Sequence, residues 1–207
     1  SNLAVLMDYT RDPANVYRRA LPHLAYADTL KDGARRIRVG VAVGCVLGDE
    51  IHGKPCSSPG WATQNETDLA TLLAAAEPLL RKHRSFAGYA VFHDVMWYEQ
   101  YRANPAPPDA HWPRGTSAWY SNHTVLLDPA LRQEWLAWAK SRSISEIYIA
   151  PHATNVPLLG AWGGARDTAF CDFLRQASTQ GLEVYLSASS ASSQRDVEFI
   201  KTCSVHL

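Results

Sequence analysis

Hydrophobic positions along this chain form short continuous runs, and the stretches between the runs show helical periodicity. The runs predict five β-strands, at residues 3–8, 36–43, 88–93, 145–150 and 182–187. In the intervening stretches apolar side chains recur every three or four residues, which is the spacing of one face of an α-helix. Strands that alternate with helices are typical of a parallel sheet with right-handed helical crossovers. The pattern therefore predicts an α/β fold.

Short polar residues mark the points where the predicted helices begin. Asp12 and Asp128 each precede a proline, and a capping side chain followed by proline at the first helical position is typical of a helix start. Asn65 or Thr67 caps a further helix, which we expect to extend to about residue 82. Gly181 predicts the end of the helix that precedes the last predicted strand.

Two segments show neither a continuous hydrophobic run nor helical periodicity, and they divide the chain into parts. Residues 44–64 are rich in Gly, Pro and Ser, and a loop of this length is usually functional or mobile. Residues 103–118 contain four prolines, and we interpret them as a linker. The predicted organisation is therefore three βα units in residues 1–102, the linker, and two βα units in residues 119–207.

Composition and motif content exclude several classes of protein. The chain has 207 residues, of which 46% are hydrophobic, enough for a sizeable core. Its 20 basic and 20 acidic residues balance, so we expect neither a nucleic-acid nor a membrane partner. No apolar run approaches the ~20 residues that span a bilayer. Dinucleotide, phosphate-loop and zinc-ligand spacings are all missing from the sequence, so we expect no cofactor and no metal.

Cysteines and glycosylation sequons bear on the cellular compartment. Cys171 lies in an apolar helical pattern, and we interpret it as a buried core residue. Cys45 and Cys56 flank the long loop and can pair in an oxidising compartment, which their spacing leaves open. The sequons Asn65-Glu66-Thr67 and Asn122-His123-Thr124 matter only in a secreted protein. We therefore expect a soluble protein, secreted if the sequons are used.

Polar residues that follow the predicted strands are the candidates for function, because parallel-strand folds place their sites where strands end and loops begin. The candidate catalytic residues are Asp8, Glu50 and His93. The candidate substrate-binding residues are Tyr9, Arg11, Asp94, Trp97, His152 and Asn155. We expect Asp8, His93 and His152 to lie at one edge of the sheet.

Each candidate also has a structural interpretation. Asp8 follows five apolar residues and can act as acid, base or nucleophile or bind a sugar hydroxyl, or it can simply help to cap the next helix. His93, Asp94 and Trp97 form the best cluster, because a sugar ring needs hydrogen bonds at its edge and an apolar face beneath it. The alternative is a packed histidine beside an ordinary buried tryptophan.

Longer stretches resemble glycoside-hydrolase (β/α)₈ barrels. The segments VLMDYTRD, RIRVGVAVG and SFAGYAVFHDVMWYEQY are similar to the last three βα units of such a barrel. The segments WYSNHTVLLDPALRQEWLAWAKSRSISEIYIAP and GLEVYLSAS are similar to its opening two units. The resemblance implies a carbohydrate-active protein, or a fragment of one, that binds or cleaves a glycan.

The chain departs from that family in two respects. The resemblance implies a catalytic glutamate at the end of the second strand, but Ala42 and Val43 occupy that position, and Glu50 lies in the following loop. Catalysis therefore stays open, and a non-catalytic ligand- or protein-binding module is the alternative. A closed barrel has eight strands. The five predicted here fit a segment of a tandem-barrel protein, a permuted and shortened barrel, or an open doubly wound sheet. Unpaired sheet edges also predict that the chain self-associates, or that residues 44–64 and 103–124 mask these edges.

Overall fold

Strands and helices alternate along the chain in a computed structural model. The structure describes residues 3–7, 10–32, 37–43, 62–63, 65–92, 94–120, 123–149, 165–186 and 203. The strands are β1 (Ala4–Met7), β2 (Ile37–Val43), β3 (Ala62–Thr63), β4 (Phe86–Phe92), β5 (Thr116–Tyr120), β6 (Ile144–Ile149) and β7 (Glu183–Leu186). The helices are α1 (Pro13–Thr29), α2 (Glu66–Leu80), α3 (Asp94–Ala103), α4 (His123–Leu127), α5 (Pro129–Ser141) and α6 (Ala165–Thr179).

The chain divides into two units, Ser1–Ala118 and Trp119–Leu207, and the boundary falls within β5. In the first unit the strands lie in the order β1, β2, β4, β5, and each neighbouring pair is parallel. β3 also pairs with β2, at positions 42 and 43. Because β1 pairs with positions 37 to 40 of the same strand, β3 extends the edge that β1 begins.

The strand order of the first unit determines where its helices lie. Right-handed crossovers between strands that advance in one direction place all the connecting helices on the same face of the sheet. The contacts of α2 with both α1 and α3 agree with this arrangement. A doubly wound sheet needs a reversal of strand order, and the strands that the structure describes in residues 3–118 contain no such reversal.

The core of the first unit lies between this sheet and its helices. Val39 and Val41 of β2 pair with Tyr89 and Val91 of β4, and all four side chains are buried. The Tyr89 hydroxyl donates a hydrogen bond of 3.1 Å to the backbone carbonyl of Leu73 in α2. This face is therefore the one that packs against the helices. Burial of the phenol raises the pKa of Tyr89.

The opposite face of β2 and β4 carries several small residues, Phe92 and one buried arginine. Arg38 is 4% exposed, and its guanidinium donates to the backbone carbonyls of Gly115 and Tyr89. Gly88 pairs with Arg38 and has a φ of 127°, a conformation that favours glycine. A Cβ atom at Gly88 would collide with the Gly115 carbonyl. Glycine at this position therefore allows the turn before β5 to approach β4 closely.

The second unit packs a group of helices beside the parallel pair β6 and β7. Trp135, Trp138 and Phe173 are at most 1% exposed, and the Trp135 ring centroid lies 5.8 Å from that of Trp138. Arg132 is buried among these helices, where it donates hydrogen bonds of 3.1 Å to the carbonyl of Leu126 and 2.7 Å to that of Ala169. Arg132 thus ties α5 to both α4 and α6.

Cys171 is a buried helical residue as predicted, but the disulfide that it forms was not predicted. Cys171 is buried in α6, but it forms a disulfide with Cys203, with the two Cα atoms 5.1 Å apart. The backbone carbonyl of Cys203 also accepts a hydrogen bond of 3.1 Å from Arg175. Cys45 and Cys56 lie outside the described residues.

The sequence pattern located the main elements. All five predicted strands are present, with ends that differ from the prediction by at most two residues. Asp12, Asn65 and Asp128 cap helices as expected, each accepting backbone N–H groups of the first turn. β3 and β5 were not predicted, and β5 begins inside the segment interpreted as a linker.

Candidate functional site

A pattern of acidic and aromatic residues repeats in β6 and β7. Glu146 pairs with Glu183, and Tyr148 pairs with Tyr185, in the parallel register of the two strands. Since side chains alternate between the faces of a strand, all four project from the same face. Ile147 belongs to the opposite face and is completely buried, so the face of the glutamates and tyrosines is the one turned away from the helices.

Three aromatic rings form a continuous row on this face. The Trp119 ring stacks on Tyr148 with ring centroids 5.1 Å apart and an angle of 26° between the planes. Tyr148 stacks in turn on Tyr185, at 5.4 Å and 24°. We call these three residues the aromatic row. Offset stacking of this kind is favourable and aligns the rings on neighbouring strands.

The aromatic row lies at the carboxyl ends of its strands and is accessible. Trp119, Tyr148 and Tyr185 are each the penultimate residue of a strand. Trp119 and Tyr148 are half-buried, whereas Tyr185 is 40% exposed. An exposed aromatic side chain at the carboxyl end of a strand is well placed to contact a ligand, because parallel folds bind ligands at that edge.

Both tyrosine hydroxyls donate to a glutamate of their own strand. The distance from the Tyr148 hydroxyl to Oε2 of Glu146 is 3.2 Å, and from the Tyr185 hydroxyl to Oε2 of Glu183 it is 2.7 Å. The hydrogen bond to Glu183, together with partial burial and the nearby negative charges, raises the pKa of Tyr185 to about 12. Tyr185 is therefore a neutral donor at physiological pH, and its partner glutamate is held in a defined orientation.

A second polar cluster lies at the amino-terminal end of β4. His83 Nδ1 lies 2.7 Å from Asp28 Oδ2, and the backbone N–H of Ser85 donates to Asp28 Oδ1 at 2.8 Å. Burial, the largest single influence, raises the pKa of Asp28, but the hydrogen bonds from Ser85 and His83 together hold it below its usual value. Clusters at this end of parallel strands stabilise the fold.

Trp97, a predicted substrate-binding residue, lies in the interior of the first unit. Its side chain is completely buried and its Nε1–H donates a hydrogen bond of 3.1 Å to Glu66 Oε1. The other oxygen of Glu66 accepts the backbone N–H of Ala106 at 2.7 Å. The Trp97 ring also packs against Trp112, with centroids 5.5 Å apart. A role of Trp97 in ligand binding stays a prediction.

The other predicted site residues are placed only in part. Arg11 is half-buried and lies in the segment between β1 and α1, and Asp94 is the first residue of α3. The remaining candidates lie outside the described residues: Asp8, Tyr9, Glu50, His93, His152 and Asn155. The expectation that Asp8, His93 and His152 share one edge therefore stays a prediction.

Sequence reasoning missed the aromatic row, although the chain carries a signal for it. The segments EIYI and EVYL, at residues 146–149 and 183–186, both follow the order acidic, aliphatic, tyrosine, aliphatic. Alternation of this kind predicts a strand with one apolar and one functional face. In the register that the structure shows for β6 and β7, this repeated order places the glutamates side by side and the tyrosines side by side.

Neither a metal site nor a membrane span emerges from the described residues. Within them, no three histidine, cysteine, aspartate or glutamate side chains are grouped closely enough to hold a metal ion. None of the helices in the described part of the chain is long and apolar enough to cross a membrane.

The α/β class follows from the alternating elements and their parallel pairing. The resemblance to glycoside-hydrolase barrels stays a prediction. Comparison with protein-family models, curated proteins and solved structures gives no significant match for this chain.

Proposed function

We propose that this chain is a carbohydrate-active α/β protein that binds a glycan on the aromatic row. The observation that carries the proposal is the position of the three rings. They lie at the carboxyl ends of their strands, on the face opposite the helices that the structure describes in this unit, and Tyr185 is 40% exposed. That edge is where parallel-strand folds bind their ligands.

The chemistry of the row suits a sugar. A pyranose ring presents an apolar face of C–H groups and a rim of hydroxyls, so it binds where an aromatic surface adjoins hydrogen-bond acceptors. Tyr185 supplies the aromatic surface. Glu183 supplies carboxylate oxygens at the same place, since its Oε2 lies 2.7 Å from the Tyr185 hydroxyl. Both requirements are met within two residues of one strand.

The strand order of the first unit supports a barrel-like architecture for that unit. In the first unit, strands that follow chain order and helices on one face are the arrangement of consecutive βα units of a (β/α)₈ barrel. In a complete barrel the uncovered face is the interior, and its carboxyl end holds the active site. We therefore propose a partial or permuted barrel.

The unpaired edges of such a barrel would lead the chain to self-associate. Light scattering over a concentration series tests this.

Cleavage of the glycan is a separate step of the proposal. Its candidates are Asp8, Glu50 and His93 of the first unit, whose proposed role is independent of the aromatic row, and hydrolysis of a glycosidic bond uses two carboxyl groups or their equivalents on either side of the bond. A non-catalytic glycan-binding module would need the aromatic row alone. Chromogenic glycosides distinguish the two, since only the enzyme releases the chromophore, and Asp8→Asn should then abolish release.

A binding experiment tests the proposal directly. Calorimetric titration with a panel of soluble oligosaccharides should identify a bound glycan, and Tyr185→Ala should weaken that binding about tenfold, equivalent to about 1.4 kcal/mol. Tyr26→Ala is the matched control, because Tyr26 is 68% exposed but lies on α1. Absence of binding across the panel, or equal losses in the two variants, would overturn the proposal.

A further inference from the structure

A covalent cross-link and a glycosylation motif occur in the same chain. Cys171 and Cys203 form a disulfide, and both residues are buried. Disulfides form and persist in oxidising compartments such as the endoplasmic reticulum and the extracellular space, whereas cytosolic thiols are kept reduced. The endoplasmic reticulum is also where an Asn-x-Thr sequon is modified. The disulfide therefore gives weight to a motif that is otherwise common by chance.

We propose that Asn65 is an N-glycosylation site. It is the first residue of the sequon Asn65-Glu66-Thr67, and it lies at the start of α2. Asn65 is half-buried and Thr67 is exposed, so both residues that define the motif reach solvent. This modification is independent of the proposed glycan binding, because the sugar is attached covalently to the first unit and is not a ligand of the aromatic row.

The hydrogen bonds of Asn65 are compatible with an attached sugar. Its Oδ1 accepts the backbone N–H of Asp68 at 2.8 Å, which caps α2, and its Nδ2 donates to Asp68 Oδ2 at 3.0 Å. A side-chain amide has two N–H donors, and the contact with Asp68 uses one of them. Glycosylation replaces one hydrogen of Nδ2 and leaves Oδ1 unchanged. A glycosylated Asn65 can therefore still cap α2.

The middle residue of the motif determines when the sugar is added. Glu66 is completely buried, and its carboxylate accepts hydrogen bonds from Trp97 Nε1 at 3.1 Å and from the backbone N–H of Ala106 at 2.7 Å. An enzyme that binds the tripeptide in an extended conformation would have to break these contacts and unwind the first turn of α2. We therefore expect the sugar to be added before the first unit folds.

The transfer reaction needs an activated sugar donor, an oligosaccharide carried on a lipid pyrophosphate. Nδ2 of Asn65 forms a bond to the anomeric carbon of the oligosaccharide, and the bond between that carbon and the pyrophosphate oxygen breaks. The lipid pyrophosphate leaves, and Nδ2 loses one proton. The side chain stays an amide, so its charge does not change.

The test expresses the full chain through the secretory pathway of a eukaryotic cell line. The substitution Asn122→Gln removes the other sequon, which leaves Asn65 as the acceptor to be assayed. Digestion with a peptide-N-glycosidase removes a glycan and converts its asparagine to aspartate, which mass spectrometry of peptides locates. We expect a loss of mass on digestion and an aspartate at the first position of the sequon.

Matched variants separate the motif from the fold. Thr67→Ser keeps the sequon and should keep the modification, whereas Thr67→Ala destroys the sequon and should abolish it. Asn65→Asp also prevents glycosylation but keeps a side-chain oxygen that can cap α2. Thermal unfolding of Asn65→Asp therefore verifies that the fold is retained when the sugar is lost.

The outcomes are read in the medium and in total cell protein, so a variant that is retained in the cell still gives a result. Peptide mapping without reduction checks the bond between Cys171 and Cys203. An unmodified Asn65 in protein that carries this disulfide would overturn the proposal, as would equal modification of the Thr67→Ala variant. Free thiols at the two cysteines after passage through the secretory pathway would also overturn it, because the disulfide is the reason for placing the chain in that compartment.

Discussion

The Nδ1 atom of His83 lies 2.7 Å from Oδ2 of Asp28, and this contact links the end of α1 to the turn before β4. The same carboxylate accepts the backbone N–H of Ser85 at 2.8 Å, and the Ser85 hydroxyl donates to the carbonyl of Leu24 at 3.0 Å. Three contacts thus join one helix to the start of a central strand, far from the carboxyl edge of the sheet.

The contacts of Asp28 predict how the free energy of unfolding depends on pH. The pKa of Asp28 is lowered in the folded protein, so the folded state prefers the ionised carboxylate. Its contribution is complete above the unfolded value of about 3.9 and is lost as the pH falls through the folded pKa. Asp28→Asn should lower the free energy of unfolding by about 1–2 kcal/mol near neutral pH and by less below pH ~4.

The free energies of unfolding of the wild type and Asp28→Asn should therefore become more similar as the pH falls. Urea unfolding of both proteins from neutral to acidic pH measures this change. Asp109→Asn is the control, because Asp109 is exposed in the turn before His111. A difference between wild type and Asp28→Asn that stayed constant down to the lowest pH would show that Asp28 does not act through its charge.

The disulfide predicts a dependence on redox conditions. The bond between Cys171 and Cys203 closes a loop with a sequence separation of 32 residues. A cross-link of that span restricts the unfolded chain and stabilises the fold by about 3–4 kcal/mol in the chain-entropy model. Replacing both cysteines with serine should lower the melting temperature measured by calorimetry under oxidising conditions. An unchanged melting temperature would contradict this.

Substitutions of Gly88 and Gly181 separate two causes of destabilisation, a left-handed backbone conformation and a collision with the added Cβ atom. Both have positive φ, 127° and 74°, but only a Cβ at Gly88 would collide with another part of the chain. Gly181→Ala should cost about 1–2 kcal/mol, the price of a left-handed conformation alone. Gly88→Ala should cost at least about 3 kcal/mol, since β4 and the turn at Gly115 must also move apart. Denaturant unfolding of the two variants gives both numbers, and equal losses would show that the close approach is unimportant.

The difference between what the sequence predicted and what it missed has physical causes. Both faces of β2 and β4 are largely buried, so most consecutive residues in these strands are apolar. Their hydrophobic runs therefore identify them in the sequence. β5 has the sequence TSAWY, and its buried Thr116 and Ser117 satisfy their hydroxyls through the carbonyls of Pro113 and Tyr89. A strand whose polar side chains bond to the backbone carries no hydrophobic signal.

The aromatic row was missed for a related reason. Trp119, Tyr148 and Tyr185 come from three strands, and only the register of β6 and β7 and the stacking of the rings bring them together. Strand register depends on long-range packing, which a local pattern does not encode. The candidate site residues instead follow the strands, where loops supply much of the chemistry of parallel folds.

The last prediction concerns the ionisation of Tyr185. The hydrogen bond to Glu183 and the surrounding negative charge favour the neutral phenol and raise the pKa of Tyr185 to about 12. Glu183→Gln removes the charge of that partner, so the pKa should fall towards the ordinary value of about 10. The ultraviolet absorbance of phenolate measures this directly, with the titration of Tyr185→Phe subtracted to isolate the one residue among nine tyrosines.

The raised pKa of Tyr185 also determines how this residue affects the stability of the fold at high pH. A raised pKa means that the folded state holds the Tyr185 proton more strongly than the unfolded chain does, so the contribution is present below pH ~10 and is lost as the pH rises through the folded value. Glu134→Gln should leave the titration unchanged, because Glu134 lies on α5 and takes no part in the hydrogen bond. If Glu183→Gln left the pKa of Tyr185 near 12, Glu183 would not be the group that orients this hydroxyl. The arrangement of Glu183 and the Tyr185 ring on which the proposed glycan binding depends would then be incorrect.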